Sequence, residues 1–314
     1  MRDANNHCNN DDKYQQFDSS AMNRLSLQST MESPMSRKSH ASYVSEQMGF
    51  DESTAHTIVV TRPLKQAAPL AERIRSLGIT PTLYPLLDIL PAVDRRLIYD
   101  AVRNLECYAL VIFVSPNAIA AFFPSVTYWP RSTAIAVMGS TGLKQLEKLG
   151  FTDAHVKIVV PDRHSFNDSE GLLQAFNLET FRGKRALIVR AETGREYLAN
   201  ALLAGGMTVD LLAAYRRLPV KLDQQRMALL NELLASRNTW VVTSTEGLAV
   251  LVNHVEQAAG IEGRLRLITQ RLITTHPRIF EAAKIAGFTN LVLSGTGDDN
   301  VMSCLAALYS THGI

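Results

Sequence analysis

With 314 residues, 46% of them hydrophobic and 20% charged, the chain has the length of two ordinary domains and the composition of a globular protein with core to bury. A formal net charge of +2 is too small to mark a nucleic-acid binder, while an anionic small molecule stays open as a ligand. No apolar run approaches the roughly 20 residues of a membrane-spanning helix and no signal-peptide core opens the chain, so no membrane contact and a cytoplasmic location are expected.

Residues 1–55 are rich in Ser, Asn, Asp, Gln and Met with no sustained apolar period, and are expected to form a disordered tail. The texture changes at His56. Thr57 to Thr61 is a β-branched run, and Gln66 to Leu77 follows with Leu70, Ile74 and Leu77 at helical spacing. The same alternation recurs as strands at Leu110 to Val114, Ala134 to Met138, Val156 to Val160 and Ala186 to Val189, with helices to Phe123 and Leu149 and from Glu196 to Leu203. It continues with strands at Thr239 to Val242, Leu267 to Thr274 and Asn290 to Leu293, and helices to about Val255 and Ile285. Strands alternating with amphipathic helices mean parallel sheets covered on both faces.

Two internal repeats sharpen this reading. Leu70 to Pro91 aligns without a gap on Leu198 to Pro219, matching Gly78 with Gly206 and Leu83 with Leu211. Val111 to Phe123 aligns likewise on Trp240 to Val252. The second-copy unit at 185–219 precedes the second-copy Val-Val-Thr-Ser unit, whereas its partner opens the ordered chain. If each lobe needs one of each, His56 to Asp88 joins the residues after about Val220, and the chain crosses between lobes at Leu86 to Pro91 and Ala213 to Pro219. Two such extended crossings could pair as a hinge ladder. Periodicity alone also permits two consecutive lobes.

Open parallel sheets bind ligands outside the carboxyl ends of their strands. The residues there are small, hydroxylated or basic: Arg62, Ser115, Asn117, Thr141, Arg190, Arg195, Ser244, Thr245, Thr275 and Arg278. Ser and Thr at such positions cap helices. Several helix N-termini facing one cleft would also offer amides to carboxylates, and the arginines would add bidentate partners. No phosphate loop, zinc-protease motif or nucleophile elbow is present. The three cysteines, Cys8, Cys107 and Cys304, lie far apart without a C-x-x-C or Cys/His pattern, so free thiols and no metal site are expected. His254 reads as a partly exposed spacer on a helix and His164 as a loop residue.

Together, Val60-Thr-Arg-Pro63, Phe113-Val-Ser-Pro-Asn-Ala118, Ala136-Val-Met-Gly-Ser-Thr141, Ser169-Glu-Gly-Leu-Leu173, Gly183 to Arg190 with Gly194-Arg195-Glu196, and Val241-Val-Thr-Ser244 resemble the uroporphyrinogen-III synthases, in their order and spacing. The resemblance covers the chain from about His56 to its end. It departs at His276-Pro277, where the family often has Gly-Pro. It implies an α/β fold of two flavodoxin-like, doubly wound lobes joined by a two-stranded hinge. One lobe is then residues 56–90 with 218–314, and the other residues 91–217. It further implies a cofactor-free lyase that closes the linear octacarboxylate hydroxymethylbilane to uroporphyrinogen III, inverting the last ring and losing water. Tyr215, in Ala213-Ala-Tyr-Arg-Arg217, matches the family's hinge tyrosine and could hydrogen-bond the departing hydroxyl. A monomer in passing contact with porphobilinogen deaminase is expected. The rival from another class, a non-enzymatic two-lobed protein binding an anionic ligand, would share fold and cleft.

The tail reading is open to test. Deleting residues 1–54 is expected to leave soluble yield and activity near those of the full chain, and a large loss of either would show that the tail contributes to the fold.

Overall fold

The computed structural model describes residues 56–162 and 168–310, so the tail and His164 lie outside the described residues. The chain opens with β1 (Ile58–Val60), α1 (Leu64–Arg75) and β2 (Pro81–Leu83), and passes through β3 (Leu87–Pro91) to α2 (Arg96–Arg103), β4 (Leu110–Phe113), α3 (Pro116–Phe122) and β5 (Ala134–Val137). Next come α4 (Ser140–Lys148), β6 (Ile158–Val159), α5 (Ser169–Gln174), β7 (Arg185–Ala191) and α6 (Tyr197–Ala204). The long β8 (Thr208–Pro219) leads to α7 (Gln224–Ala235), β9 (Thr239–Val242), α8 (Thr245–Thr269), β10 (Arg271–Thr274), α9 (Pro277–Ile285), β11 (Asn290–Leu293) and α10 (Asp298–Ser310).

The strands form two sheets of an α/β fold. A five-stranded sheet in the order β11-β10-β9-β1-β2 is parallel throughout. A six-stranded sheet in the order β3-β8-β7-β4-β5-β6 is parallel except at its β3 edge. The first described strand therefore pairs with β9, with Ile58 opposite Thr239, and not with the strands that follow it in sequence from β3 to β8.

Each sheet is buried on both faces, which explains runs of apolar residues without polar alternation. On β4, Val111 and Phe113 point into one cluster with Ile119 and Phe122 of α3, while Leu110 and Ile112 point into another with Leu198 and Leu202 of α6. On β1, Val59 packs with Trp240, Leu251 and Leu272, while Ile58 and Val60 pack with Leu70 and Ile74 of α1 and Leu305 of α10.

The aligned repeats fold differently, and one residue accounts for it. In the second copy β8 runs unbroken for 12 residues. In the first copy Pro85 stands where the second has Ala213, and the chain divides there into β2, in one sheet, and β3, in the other. Proline has no N–H for a ladder and does not sit inside a central strand. The two crossings do pair, antiparallel from Leu87 opposite Pro219 to Pro91 opposite Tyr215. They form the edge of the six-stranded sheet.

One boundary differs from the periodicity reading. Leu267 and Ile268 belong to α8, which continues past a kink at Gly260 to Thr269, and β10 starts only at Arg271. Both residues pack against the core around Trp240, and a short apolar run does not distinguish helix from strand.

The matched glycines end equivalent helices. After α1 and α6, Gly78 and Gly206 adopt φ of +78° and +81°, and their amides close on the carbonyls of Arg75 and Leu203 at 2.9 Å. A Cβ at Gly78 would meet nothing within 4 Å, so substitution there isolates the backbone term. Gly78→Ala is expected to lower stability by about 1–2 kcal/mol in denaturant unfolding; an unchanged midpoint would show that the turn relaxes out of the left-handed region.

Candidate functional site

The carboxyl ends of the strands open into a cleft of about 680 Å³. Its wall comes from both sheets. Arg62 and Pro63 follow β1 and Thr243 and Ser244 follow β9, on the five-stranded side; Ser115 to Asn117 follow β4 and Gly139 to Thr141 follow β5, on the other. Tyr215 and Arg217 of β8 supply the part next to the β3 edge.

Local structure places these groups. Ser115 and Ser244 cap α3 and α8, accepting from the amides of Ala118 at 3.2 Å and Gly247 at 2.9 Å. Residues Pro63 and Gly139 precede α1 and α4 with no side-chain cap, so the first-turn amides there have no side-chain acceptor. Across the cleft, Gln66 Nε2 donates to Asn117 Oδ1 at 2.9 Å, tying α1 to the start of α3. Tyr215 is buried, and its hydroxyl lies 2.9 Å from Ser115 Oγ; either oxygen can donate. Arg62 is ion-paired with Asp298, and Arg217 with Glu246 at 3.0 Å.

Six of the residues picked from sequence thus line the cleft: Arg62, Ser115, Asn117, Thr141, Ser244 and Tyr215. Thr245 is the exposed first residue of α8 beside it. The other four stand elsewhere. Thr275 is buried at 6% exposure. The Arg190 guanidinium is buried and paired with Glu196 at 2.9 Å.

Arg195 and Arg278 meet in a cluster of opposite charges. Arg195 Nη2 donates to Glu170 Oε1 at 2.5 Å and its Nη1 to Glu170 Oε2 at 3.2 Å. Arg278 Nη1 donates to Glu170 Oε2 at 3.2 Å and to Asp168 Oδ2 at 3.1 Å. The hydrogen bond from Arg195, with the charge of Arg278 adding to it, holds the Glu170 carboxyl down at about 2. Asp168 is buried, caps α5 through the Gly171 amide at 2.9 Å, and lies 3.1 Å from His276 Nε2. His276 Nδ1 accepts from the Arg278 amide at 3.1 Å, capping α9, which leaves Nε2 as the donor to Asp168. Burial first, then the charge of Arg278, lower the His276 pKa and outweigh the carboxylates. Asp168 and Glu170 were missed as site residues. Their only sequence signal, an Asp before a helical Ser-Glu-Gly, is that of an ordinary N-cap.

One reading of a single residue is corrected. His254 is buried at 4% exposure on α8, where burial lowers its pKa, because the helix turns this position inward beside Val255. Cys304 is a free thiol. Among the described residues no group of His, Cys, Asp and Glu could hold a metal ion, and no helix is long and apolar enough to cross a membrane.

Comparison with known proteins places this arrangement. Residues 68–299 match the family model described as uroporphyrinogen-III synthase HemD. The uroporphyrinogen-III synthase of Escherichia coli is 29% identical over 252 residues, covering 78% of this chain and 98% of the relative. That of Salmonella typhimurium is 27% identical over 250 residues with the same coverage. A mutant uroporphyrinogen III synthase from the extremely thermophilic bacterium Thermus thermophilus superposes with a TM-score of 0.54 at 17% identity, over 82% of this chain and all of that one. The Helicobacter pylori enzyme superposes with a TM-score of 0.51 at 13% identity, over 81% and 100%. These two share the fold, and the family match with its near full-length relatives fixes the assignment: the chain belongs to the uroporphyrinogen-III synthase family.

Proposed function

We propose that the chain closes hydroxymethylbilane to uroporphyrinogen III in the cleft between the two sheets, with Tyr215 assisting departure of the hydroxyl. The observation that carries this reading is the wall itself. Two strand ends from each sheet converge with their helix N-termini, and one buried tyrosine presents a hydroxyl among them. Hydroxymethylbilane loses its hydroxyl as water to give an azafulvene cation. The substituted carbon of the terminal pyrrole attacks this cation, and the resulting spiro intermediate rearranges and closes to the type III macrocycle. Unaided closure gives the other isomer, so the work of the protein is positioning.

The carboxylates of the substrate would meet uncapped first-turn amides of α1 and α4, the side chains of Asn117, Thr141, Ser244 and Thr245, and the guanidinium of Arg62. Arg190, Arg195, Thr275 and Arg278 stand outside this wall and would join only with a rearrangement of their present partners. Ser115 would position Tyr215. Its Oγ accepts from the Ala118 amide, so its proton is free to go to the tyrosine oxygen, and the tyrosine proton then points to the leaving hydroxyl.

In this reading residues 56–90 with 218–314 and residues 91–217 act as two lobes hinged on the β3–β8 ladder, in a cofactor-free, cytoplasmic monomer. Transfer of substrate from porphobilinogen deaminase involves only a passing contact.

The reading is tested by coupling the chain to porphobilinogen deaminase and separating type III from type I uroporphyrin; only type I product would sink it. In the same assay Tyr215→Phe is expected to slow formation of type III by up to about 100-fold at similar KM, the low end for acid assistance, with melting unchanged because the ring's packing is kept. Equal turnover and equal melting would remove Tyr215 from the chemistry and leave positioning by amides and arginines.

A further inference from the structure

We infer that Arg195 and Arg278 form a carboxylate subsite of the cleft that the chain's own Glu170 occupies until a carboxylate of the substrate displaces it. The inference rests on the reading above, in that the displacing group belongs to an octacarboxylate.

Sheet order places the pair. In the six-stranded sheet β7 lies between β8 and β4, both of which supply cleft wall through Tyr215 and Ser115. In the five-stranded sheet β10 lies between β9 and β11, whose following residues Ser244 and Thr296 also line the cleft. The wall skips the ends of β7 and β10. Those two ends lead to Arg195 and Arg278, and the two arginines converge on one carboxylate.

Geometry and exposure separate the two acids of the cluster. Asp168, with 7% of its side chain exposed, takes the Gly171 amide, the His276 ring and Arg278, and is a fixed tie between α5 and α9. Glu170 is 36% exposed, with Arg195 and Arg278 at 46% and 43%, so solvent reaches the node from one side. An incoming carboxylate can take the same two guanidinium edges while Glu170 swings into water. That exchange replaces one carboxylate by another and leaves no arginine unpaired, and exposed pairs of this kind hold together only weakly. With its carboxyl held at about 2, Glu170 stays ionised at every pH where the protein works, and only competition removes it.

The test uses the full chain with substrate supplied by porphobilinogen deaminase. Glu170→Gln keeps the shape but removes the competing charge; it is expected to lower KM by roughly fivefold or more with kcat little changed. Arg195→Gln is expected to raise KM, and adding Glu170→Gln to it should give no further gain, because the two act on one contact. Where Arg195→Gln does not accumulate, Arg195→Lys gives the same reading, since it keeps the charge and loses the bidentate fork. If Glu170→Gln leaves KM unchanged, or if both variants raise KM in step with lowered melting temperature, the node is a structural tie and the inference falls. Failure of the functional reading shows separately, as absence of type III product from the unaltered chain.

Discussion

The antiparallel pairing of β3 with β8 is the contact on which the rest of the architecture depends. The chain builds only β1, α1 and β2 of the five-stranded sheet before it leaves through Leu87 to Pro91, and it returns to complete that sheet only after Pro219. Both passages between the sheets run through this ladder. Tyr215 lies at the end of the ladder, opposite Pro91, at the point where β8 stops pairing with β7. The register shift between Arg190 and Ala191, which brings Ala191 opposite Tyr215, falls there too. A bulge at such a point re-aims side chains, and the side chain concerned is the one that faces Ser115 across the cleft wall.

The arginines in and around the cleft are paired within the chain. Arg62, Arg217, Arg190, Arg195 and Arg278 all have carboxylate partners from the chain. Unpaired guanidinium groups crowded at one mouth would repel one another, and desolvating them would oppose folding. Pairing removes both penalties, and in the proposed reading a substrate carboxylate exchanges with such partners while helix-terminal amides and hydroxyls add uncharged contacts. The His276 cap fits this scheme. A neutral ring with Nδ1 accepting and Nε2 donating serves the α9 amide and Asp168 together, which a glycine at that position could not do.

Much of the fold was legible because it is written in features that act locally. Apolar β-branched runs marked the parallel strands, Gly78 and Gly206 marked equivalent helix ends, and the order of the repeats placed β1 with β9. What escaped were effects decided by contact at a distance. The helical state of Leu267 and Ile268 depends on packing against the core around Trp240. The inward turn of His254 depends on what the rest of α8 covers. In the site, strand-end position identified five wall residues, with Tyr215 coming from the family resemblance, but could not tell them from Arg190, Arg195 and Arg278. Those arginines occupy similar sequence contexts, and each, like Arg62 with Asp298, has a carboxylate that the fold brings within reach. Side-chain partners brought together by the fold leave no mark in periodicity.

Serine caps are where the demands of folding and of chemistry meet. Ser115 and Ser244 each satisfy an amide that the start of a helix would otherwise leave unpaired, and that requirement alone explains a small hydroxylated residue after each strand. The cap fixes the rotamer, and a hydroxyl oxygen that already accepts an amide hydrogen bond still has a proton to give. In the proposed mechanism a side chain placed for stability is also oriented for function, and at Ser115 that proton is within reach of Tyr215. This explains why no triad of strongly perturbed groups is needed. Where the substrate's own pyrroles expel the leaving group and the hard part is geometry, hydroxyls and amides positioned by the packing of α/β units would supply what the proposed reaction asks.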